Sequence, residues 1–468
     1  MKNCIAIYYN LCKSKKNEEA ALESVFNFFF LTACASHDPR KNPVDEDLIL
    51  TGFPALSESH EENIPEFTES SVLTDYLTYA ALKNPGLKAA FLRWKAALEK
   101  IPEVKSLPDP RFTYGYFIRN VETRVGPQRH KFGLAQTFPW FGKLKLRGNA
   151  AWETAQAEKE RYEAAKLKLF FQVKEVYYEY YYLSQAIAVT RENLNLLEYL
   201  ESVARTQYTT GSASHADIIR AQVDLGKSED RLRTLKDLRH PIVAGLNAAM
   251  NRPATAPLPW PRRIEQEKVR FAEDRLLEYL KQSNPELKVV DFLAAREKWN
   301  IDLAKKNYYP DMTLSLETID TGEADMPNVD DSGKDPYVGM LSINIPIRWG
   351  KYRAIERQAH NRYRAFQHER TDRENRLAAD VKLTLYKYHD AERKIDLYKN
   401  TLTPKAEQSI QVNIQTYIAG KGTFLDVIDS VRLLLEFKLA FERAVVDRSQ
   451  RLAELEMLVG KQLLKDFE

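Results

Sequence analysis

Phe138-Pro139-Trp140-Phe141-Gly142-Lys143 returns later in the chain as Ile345-Pro346-Ile347-Arg348-Trp349-Gly350-Lys351, one residue longer. Three further pairs keep the same order. Asn84-Pro85-Gly86-Leu87-Lys88 precedes them as the partner of Asn284-Pro285-Glu286-Leu287-Lys288, and Leu107-Pro108-Asp109-Pro110 is the partner of Tyr309-Pro310-Asp311-Met312. Tyr208-Thr209-Thr210-Gly211, with Asp217 beyond it, matches Tyr417-Ile418-Ala419-Gly420, with Asp426 beyond it. The offset between partners grows smoothly, from 200 through 202 and 207 to 209 positions, as duplicated halves with small loop insertions require. Chance matches would not keep one order.

Each half repeats one plan. A helix of about 20 residues follows the Asn-Pro, where proline suits the first helical turn. Two strand-like segments come next, at 109–119 and 130–140 in the first repeat (71–253) and at 310–320 and 336–347 in the second (284–460). Two long helices close each repeat, at 142–209 and 212–250, then at 351–419 and 423–459. Between the repeats, Pro253, Pro257, Pro259 and Pro261 mark residues 254–283 as a linker and connecting segment, and 461–468 form a tail.

The strands alternate. Phe112, Tyr114, Tyr116 and Ile118 share one face, and Phe132, Leu134 and Phe138 share one face of the second strand. Met312, Leu314 and Leu316 face away from Thr313, Ser315 and Glu317, while Leu341, Ile343 and Ile345 face away from Ser342 and Asn344. Each is about the length that a tilted strand needs to cross a bilayer, and Trp140, Phe141 and Trp349 lie at the ends, where an interfacial girdle belongs. Four strands do not close a barrel, and open edges in lipid leave backbone groups unpaired at several kcal/mol each. If these strands enter a membrane, other copies supply the rest, and three copies give twelve.

The helices are long enough to reach about 100 Å at ~1.5 Å per residue. Leu169, Val173, Val176, Tyr180, Leu183 and Ile187 step 4,3,4,3,4, and the same rhythm runs through Leu377, Val381, Thr384, Tyr388, Ala391, Ile395, Tyr398 and Leu402. Tyr177, Tyr181, Leu385 and Leu397 widen each stripe, so that each helix has two neighbours.

Composition agrees with this plan and excludes others. Sixty-nine Lys and Arg against 66 Asp and Glu leave a net charge of +3, too balanced for a nucleic-acid binder. The N-terminal Ser24-Val25-Phe26-Asn27-Phe28-Phe29-Phe30-Leu31-Thr32-Ala33-Cys34 follows Lys13, Lys15 and Lys16 and ends in Leu-Thr-Ala-Cys. It resembles the lipobox of bacterial lipoproteins, which implies a leader at 1–33, acylation at Cys34 and, with Ala35 next, no retention in the inner membrane. Residues 34–70, rich in Pro, Glu and Ser, form a tether. No His/Glu cluster stands at metal-ligand spacing, and there is no phosphate loop or nucleophile elbow, so neither a metal, a cofactor nor an enzymatic activity is expected.

From about residue 70 to 460 the chain resembles the TolC-like outer-membrane efflux proteins, on the strength of both Asn-Pro starts, both strand-to-helix elements and both Tyr-x-x-Gly-x(5)-Asp tips. The Phe-Pro-Trp-Phe-Gly-Lys form is most similar to the heavy-metal efflux subgroup. The resemblance implies a mainly α fold with a small β part. Duplicated α-hairpins build a trimeric helical barrel in the periplasm, and four strands per chain contribute to a twelve-stranded barrel in the outer membrane of a Gram-negative cell. It also implies a homotrimer docking on a periplasmic adaptor (membrane fusion protein) and an inner-membrane pump of the RND type, exporting toxic solutes or metal ions.

The same resemblance assigns site residues. Asp426 and Asp429 narrow the periplasmic mouth as two anionic rings. Tyr208, Gly211, Asp217, Tyr417, Gly420 and Lys421 form the tips that lock the mouth or meet the adaptor, with Asp217 and Tyr417 as partners across the two tips. Two positions after the second tip glycine, where a basic residue often sits in the family, this chain has Gly422, beside Lys421. A competing reading is a periplasmic coiled-coil scaffold or adaptor whose strands sit in a soluble domain; such proteins carry one long hairpin, and this chain carries two.

Overall fold

A computed structural model describes residues 65–261, 264 and 272–463. The leader, Cys34 and the tether as far as residue 64 lie outside the described residues, as do 464–468. In chain order the described elements are α1 (Leu73–Lys83), α2 (Pro85–Lys105), β1 (Arg111–Thr123), β2 (Gly126–Phe138), α3 (Lys143–Thr209), α4 (His215–Asp237), α5 (Arg239–Ala249), α6 (Glu273–Ser283), α7 (Pro285–Lys306), β3 (Met312–Thr321), β4 (Tyr337–Ile343), α8 (Trp349–Leu397), α9 (Thr403–Ile418) and α10 (Phe424–Val459).

The duplication extends to atomic detail. Asn84 caps α2 by accepting from the Leu87 N–H at 2.9 Å and gives its amide to the Ala249 carbonyl, at the end of α5, at 2.8 Å. Asn284 caps α7 from Leu287 at 3.1 Å and gives its amide to Leu458, at the end of α10, at 2.7 Å. One side chain thus satisfies an orphan N–H at one helix start and a carbonyl at another helix end. This explains why the asparagine recurs. The sequence rhythm also reads as packing. Leu169, Val173, Tyr177, Tyr180 and Leu183 bury against Tyr76, Ala80, Leu246 and Met250, and Leu377, Val381, Leu385 and Tyr388 bury against Leu276, Leu280, Leu455 and Val459. Burial of one large side chain of this kind is worth about 1.5–3 kcal/mol. Helices α1 and α6, absent from the sequence expectation, are what these two cores close upon.

Several expected boundaries are corrected, mostly by proline. The helix expected over 212–250 breaks at Leu238 because Pro241 has no N–H for the Asp237 carbonyl. The helix expected over 351–419 is interrupted by a π turn at Tyr398–Leu402, just before Pro404, which likewise leaves the Asn400 carbonyl without its donor. β1 runs to Thr123 rather than 119 and starts only after Pro108 and Pro110. β2 occupies 126–138 rather than 130–140, ending before Pro139. β3 spans 312–321 rather than 310–320, and β4 stops at Ile343, not 347. Beyond Ile343 lies Pro346, on an edge with no strand beside it among the described residues.

The strands form one antiparallel sheet in the order β1-β2-β3-β4. Register places Phe112 opposite Leu134, Leu134 opposite Leu316, Gln136 opposite Leu314, and Leu314 opposite Leu341. The apolar residues therefore share one face. That face is open: Phe112, Tyr114, Tyr116, Ile118, Leu341 and Ile343 are all exposed, Ile118 at 91%.

Candidate functional site

The two repeats pack along their length, through β2 against β3 and α3 against α10, and the residues singled out by the sequence lie at two ends of that seam, the hairpin turns and the base of the sheet. At the hairpin ends, both turns are built alike. The N–H of Ser212 reaches the Gln207 carbonyl at 2.8 Å, and the N–H of Lys421 reaches Thr416 at 2.9 Å, each across a glycine. Gly211 (φ +77°) and Gly420 (φ +70°) occupy the left-handed conformation this helix stop demands, and a side chain there would be strained. A Cβ on Gly422 would meet the Thr416 methyl at 3.0 Å, so the glycine replacing the expected basic residue seats the turn tightly against its own helix. Lys421 is exposed beside it.

The carboxylates that follow the glycines have a local task that the sequence reading missed. Asp426 accepts from the Thr423 hydroxyl at 2.6 Å and from its N–H at 3.3 Å, while the Thr423 hydroxyl accepts from the Asp426 N–H at 3.2 Å. Asp217 closes the same box with Ser214 at the start of α4. The signal was present as Ser214-x-x-Asp217 and Thr423-x-x-Asp426. Asp426 and Asp429 remain exposed on the side of α10 away from its core.

Between the tips lies an apolar clamp. Leu197, Leu200, Ala204, Ile218 and Ala221 from the first hairpin bury against Ile410, Ile414, Tyr417, Phe424, Val427 and Ile428 from the second. The duplicated tyrosines part ways here. Tyr208 stays half exposed against His215 (ring centroids 5.5 Å), whereas Tyr417 buries against Phe424 (5.2 Å). The Tyr417 hydroxyl has no hydrogen-bond partner among the described residues, and burial, then the charge of Asp217, pushes its pKa up to about 12. Asp217 and Tyr417 are thus brought near one another without a hydrogen bond. Gln207 gives its amide to the Ile418 carbonyl at 3.3 Å, a direct link between the tips.

A second polar link was not anticipated. The Nη2 of Arg432 donates to both oxygens of Asp224, at 3.0 and 2.9 Å, and its Nη1 donates to Asp429 at 3.1 Å. Asp224 is buried, in step with Ile218, Ala221, Ser228 and Leu232 on the packed face of α4. An acid inside an apolar stripe was the available signal. Further up, Lys438 pairs with Glu192 at 2.8 Å. Arg443 and Gln450 grip Glu179; burial raises that carboxyl, and the two hydrogen bonds outweigh it, holding it below the ordinary carboxylate range. Lys174 meets Glu456 at 2.5 Å. These pairs stitch α3 to α10 along their length.

At the sheet base the recurring motif of one repeat docks onto that of the other. Lys143, nearly fully buried, donates to Asp311 at 2.7 Å and to the Tyr309 carbonyl at 3.2 Å; the Trp140 N–H donates to Asp311 at 2.8 Å, and the Trp140 ring stacks on Tyr309 at 5.3 Å. Asp311 is held below the usual carboxylate range: burial raises it, but the hydrogen bonds from Lys143 and Trp140 prevail. Among the described residues, no group of three or more His, Cys, Asp or Glu is placed to hold a metal ion.

A family model described as outer membrane efflux protein matches residues 77–252 and 276–461, one stretch in each repeat. No curated protein sequence matches. Among solved structures, CusC, studied for conformational changes accompanying folding and transmembrane channel formation, is 16% identical, with 87% of this chain and 99% of that one covered at a TM-score of 0.72. The outer membrane protein VceC of Vibrio cholerae is 16% identical over 83% of this chain and 96% of that one, with a TM-score of 0.69. The open state of the MtrE outer membrane channel of Neisseria gonorrhoeae is 19% identical over 85% and 90%, at 0.67. At such identities the likeness is one of fold.

Proposed function

The chain belongs to the outer membrane efflux protein family, and from that premise we propose that it is one subunit of a homotrimeric exit duct. Three four-stranded sheets would complete a twelve-stranded barrel in the outer membrane, and the paired hairpins would form a tunnel through the periplasm. The observation that carries this reading is the sheet itself. It has an exposed apolar face and two unpaired edges, β1 and β4, and within lipid such edges are satisfied only by closure. A periplasmic scaffold would leave that apolar face in water, at a cost that a soluble domain avoids by covering it.

The tips would face the periplasmic adaptor, with Tyr208, Gly211, Gly420 and Lys421 on the contacting surface and an inner-membrane pump of the RND type behind it. Asp426 and Asp429, exposed and repeated threefold, would ring the mouth, and the apolar clamp with Asp217 and Tyr417 would hold it narrow. Cys34 would add an acyl anchor. Toxic small solutes or metal ions are the exported class that the heavy-metal subgroup resemblance supports. Expression of the full chain in a Gram-negative host tests the reading: a heat-resistant trimer in the outer-membrane fraction is expected, and recovery as a soluble monomer overturns it.

A further inference from the structure

The seam between repeats inside one chain contains the instructions for the seam between chains. Lys143 follows β2 and reaches Asp311, just ahead of β3. Their repeat counterparts are Lys351, after β4, and Asp109, just ahead of β1. β4 and β1 are the two edge strands, so within one chain the counterparts cannot meet. Both stand exposed. Lys351 lies 5.8 Å from the ring of its neighbour Tyr352, and Asp109 has no hydrogen bond or ion pair among the described residues. Around them Leu107 and Ile347, the counterparts of the stacked Tyr309 and Trp140, are also exposed, as are Ile345 and Trp349.

We propose that Lys351 of one subunit pairs with Asp109 of the partner subunit, reproducing the Lys143–Asp311 bond and setting the strand register that closes the barrel. The inference rests on the trimeric reading above and adds the residues that make the joint. The register follows from the internal one. β2 meets β3 with Phe138 opposite Met312, Gln136 opposite Leu314 and Leu134 opposite Leu316. Moving β2 forward 207 positions gives β4, and moving β3 back 202 gives β1. The joint therefore sets Ile345 against Pro110 of the partner subunit, Ile343 against Phe112 of the partner subunit, and Leu341 against Tyr114 of the partner subunit.

An independent observation agrees. Through the ladder, Ile343 shares a face with Met312 and Phe138, and Phe112 shares the same face with Leu134 and Leu316. The derived register thus continues one apolar surface across the joint. A slip of one residue would set Ile343 opposite Arg111 or Thr113, whose side chains point to the other face. On assembly Lys351 passes from exposed to buried, as Lys143 already is, and Asp109 supplies the compensating charge.

The test uses the full chain extracted from the outer membrane, its native cysteines kept because Cys34 is the proposed acyl anchor, with the parent chain run alongside as the cross-linking background. The variant I343C/F112C, oxidised under mild conditions, is expected to run as covalent dimer and trimer on a non-reducing gel, while the offset variant I343C/T113C stays largely monomeric. A trimer by light scattering that cross-links at the offset pair, or at neither pair, overturns the register. A monomer by light scattering instead overturns the trimeric reading itself. For the ion pair, K351D should lower the temperature at which the trimer dissociates in detergent, and D109K/K351D should restore it. Equal loss in single and double variants, or no loss in the single, overturns the pair.

Discussion

Arg432 on α10 spans three carboxylate oxygens: both of Asp224 on the other hairpin, at 3.0 and 2.9 Å, and one of Asp429 on its own helix, at 3.1 Å. The buried acid is neutralised from across the hairpin interface, and Asp429, one of the two carboxylates proposed to ring the mouth, is tied to the same cation.

Replacing Arg432 therefore does two things. In Arg432→Ala the Asp224 carboxylate, with 9% of its side chain exposed, loses its guanidinium and keeps only Lys227, at 3.9 Å. The expected cost is about 1–3 kcal/mol in the packing of the hairpin ends. If those ends form the closed mouth, single-channel conductance in planar bilayers should rise, and Arg432→Lys, which keeps the charge, should recover part of the difference. Conductance identical to the parent would remove Arg432 and Asp224 from the closure.

Of the two carboxylates proposed to ring the mouth, Asp426 caps α10 and Asp429 does not. Asp426→Ala breaks the box with Thr423 and should cost about 1 kcal/mol at the start of α10, visible as a lower melting temperature. Asp429→Ala touches no cap and should leave melting nearly unchanged. Combined, the two substitutions should reduce cation preference, read as a reversal potential closer to zero in a salt gradient. A reversal potential that does not move would take the anionic rings out of the mouth.

Tyr417→Phe should be tolerated or slightly stabilising in the isolated subunit, because it deletes a buried hydroxyl with no partner. The raised pKa gives a further sign. A phenol favoured in its neutral form contributes stability that is complete below the unfolded value near 10 and is lost as pH rises toward about 12. Thermal melts of Tyr417→Phe should show a shallower alkaline fall than the parent, the remainder coming from other buried tyrosines such as Tyr162. A sharply lower melting temperature at neutral pH would show that the hydroxyl has a partner in the assembled channel.

At the sheet base, Asp311→Ala strands the ammonium of Lys143, whose side chain is 4% exposed. The loss should approach about 3–5 kcal/mol, seen as a low yield of folded protein, and the paired replacement Lys143→Met with Asp311→Ala should recover much of it. If the single and paired variants fold equally badly, stacking of Trp140 on Tyr309, and not the ion pair, holds the joint.

Sequence alone determined the duplicated plan, the element types and the face each strand presents. Those depend on local rules: period 2 in strands, 3.5 in paired helices, and glycine where the helix must stop. Element ends were misjudged chiefly at Pro139, Pro241, Pro346 and Pro404, because a missing N–H acts on a carbonyl four residues back or across a ladder and leaves the hydrophobic pattern intact. The tertiary structure alone decided which charges meet. Arg432 and Asp224 lie 208 positions apart, and Lys143 and Asp311 lie 168 apart. Pairing over such separations depends on how two hairpins are brought together, and side-chain periodicity carries no information about that. The buried hydroxyl of Tyr417 and the exposed ring of its repeat twin Tyr208 make the same point: matched positions of one motif acquire different surroundings when the second hairpin packs onto the first.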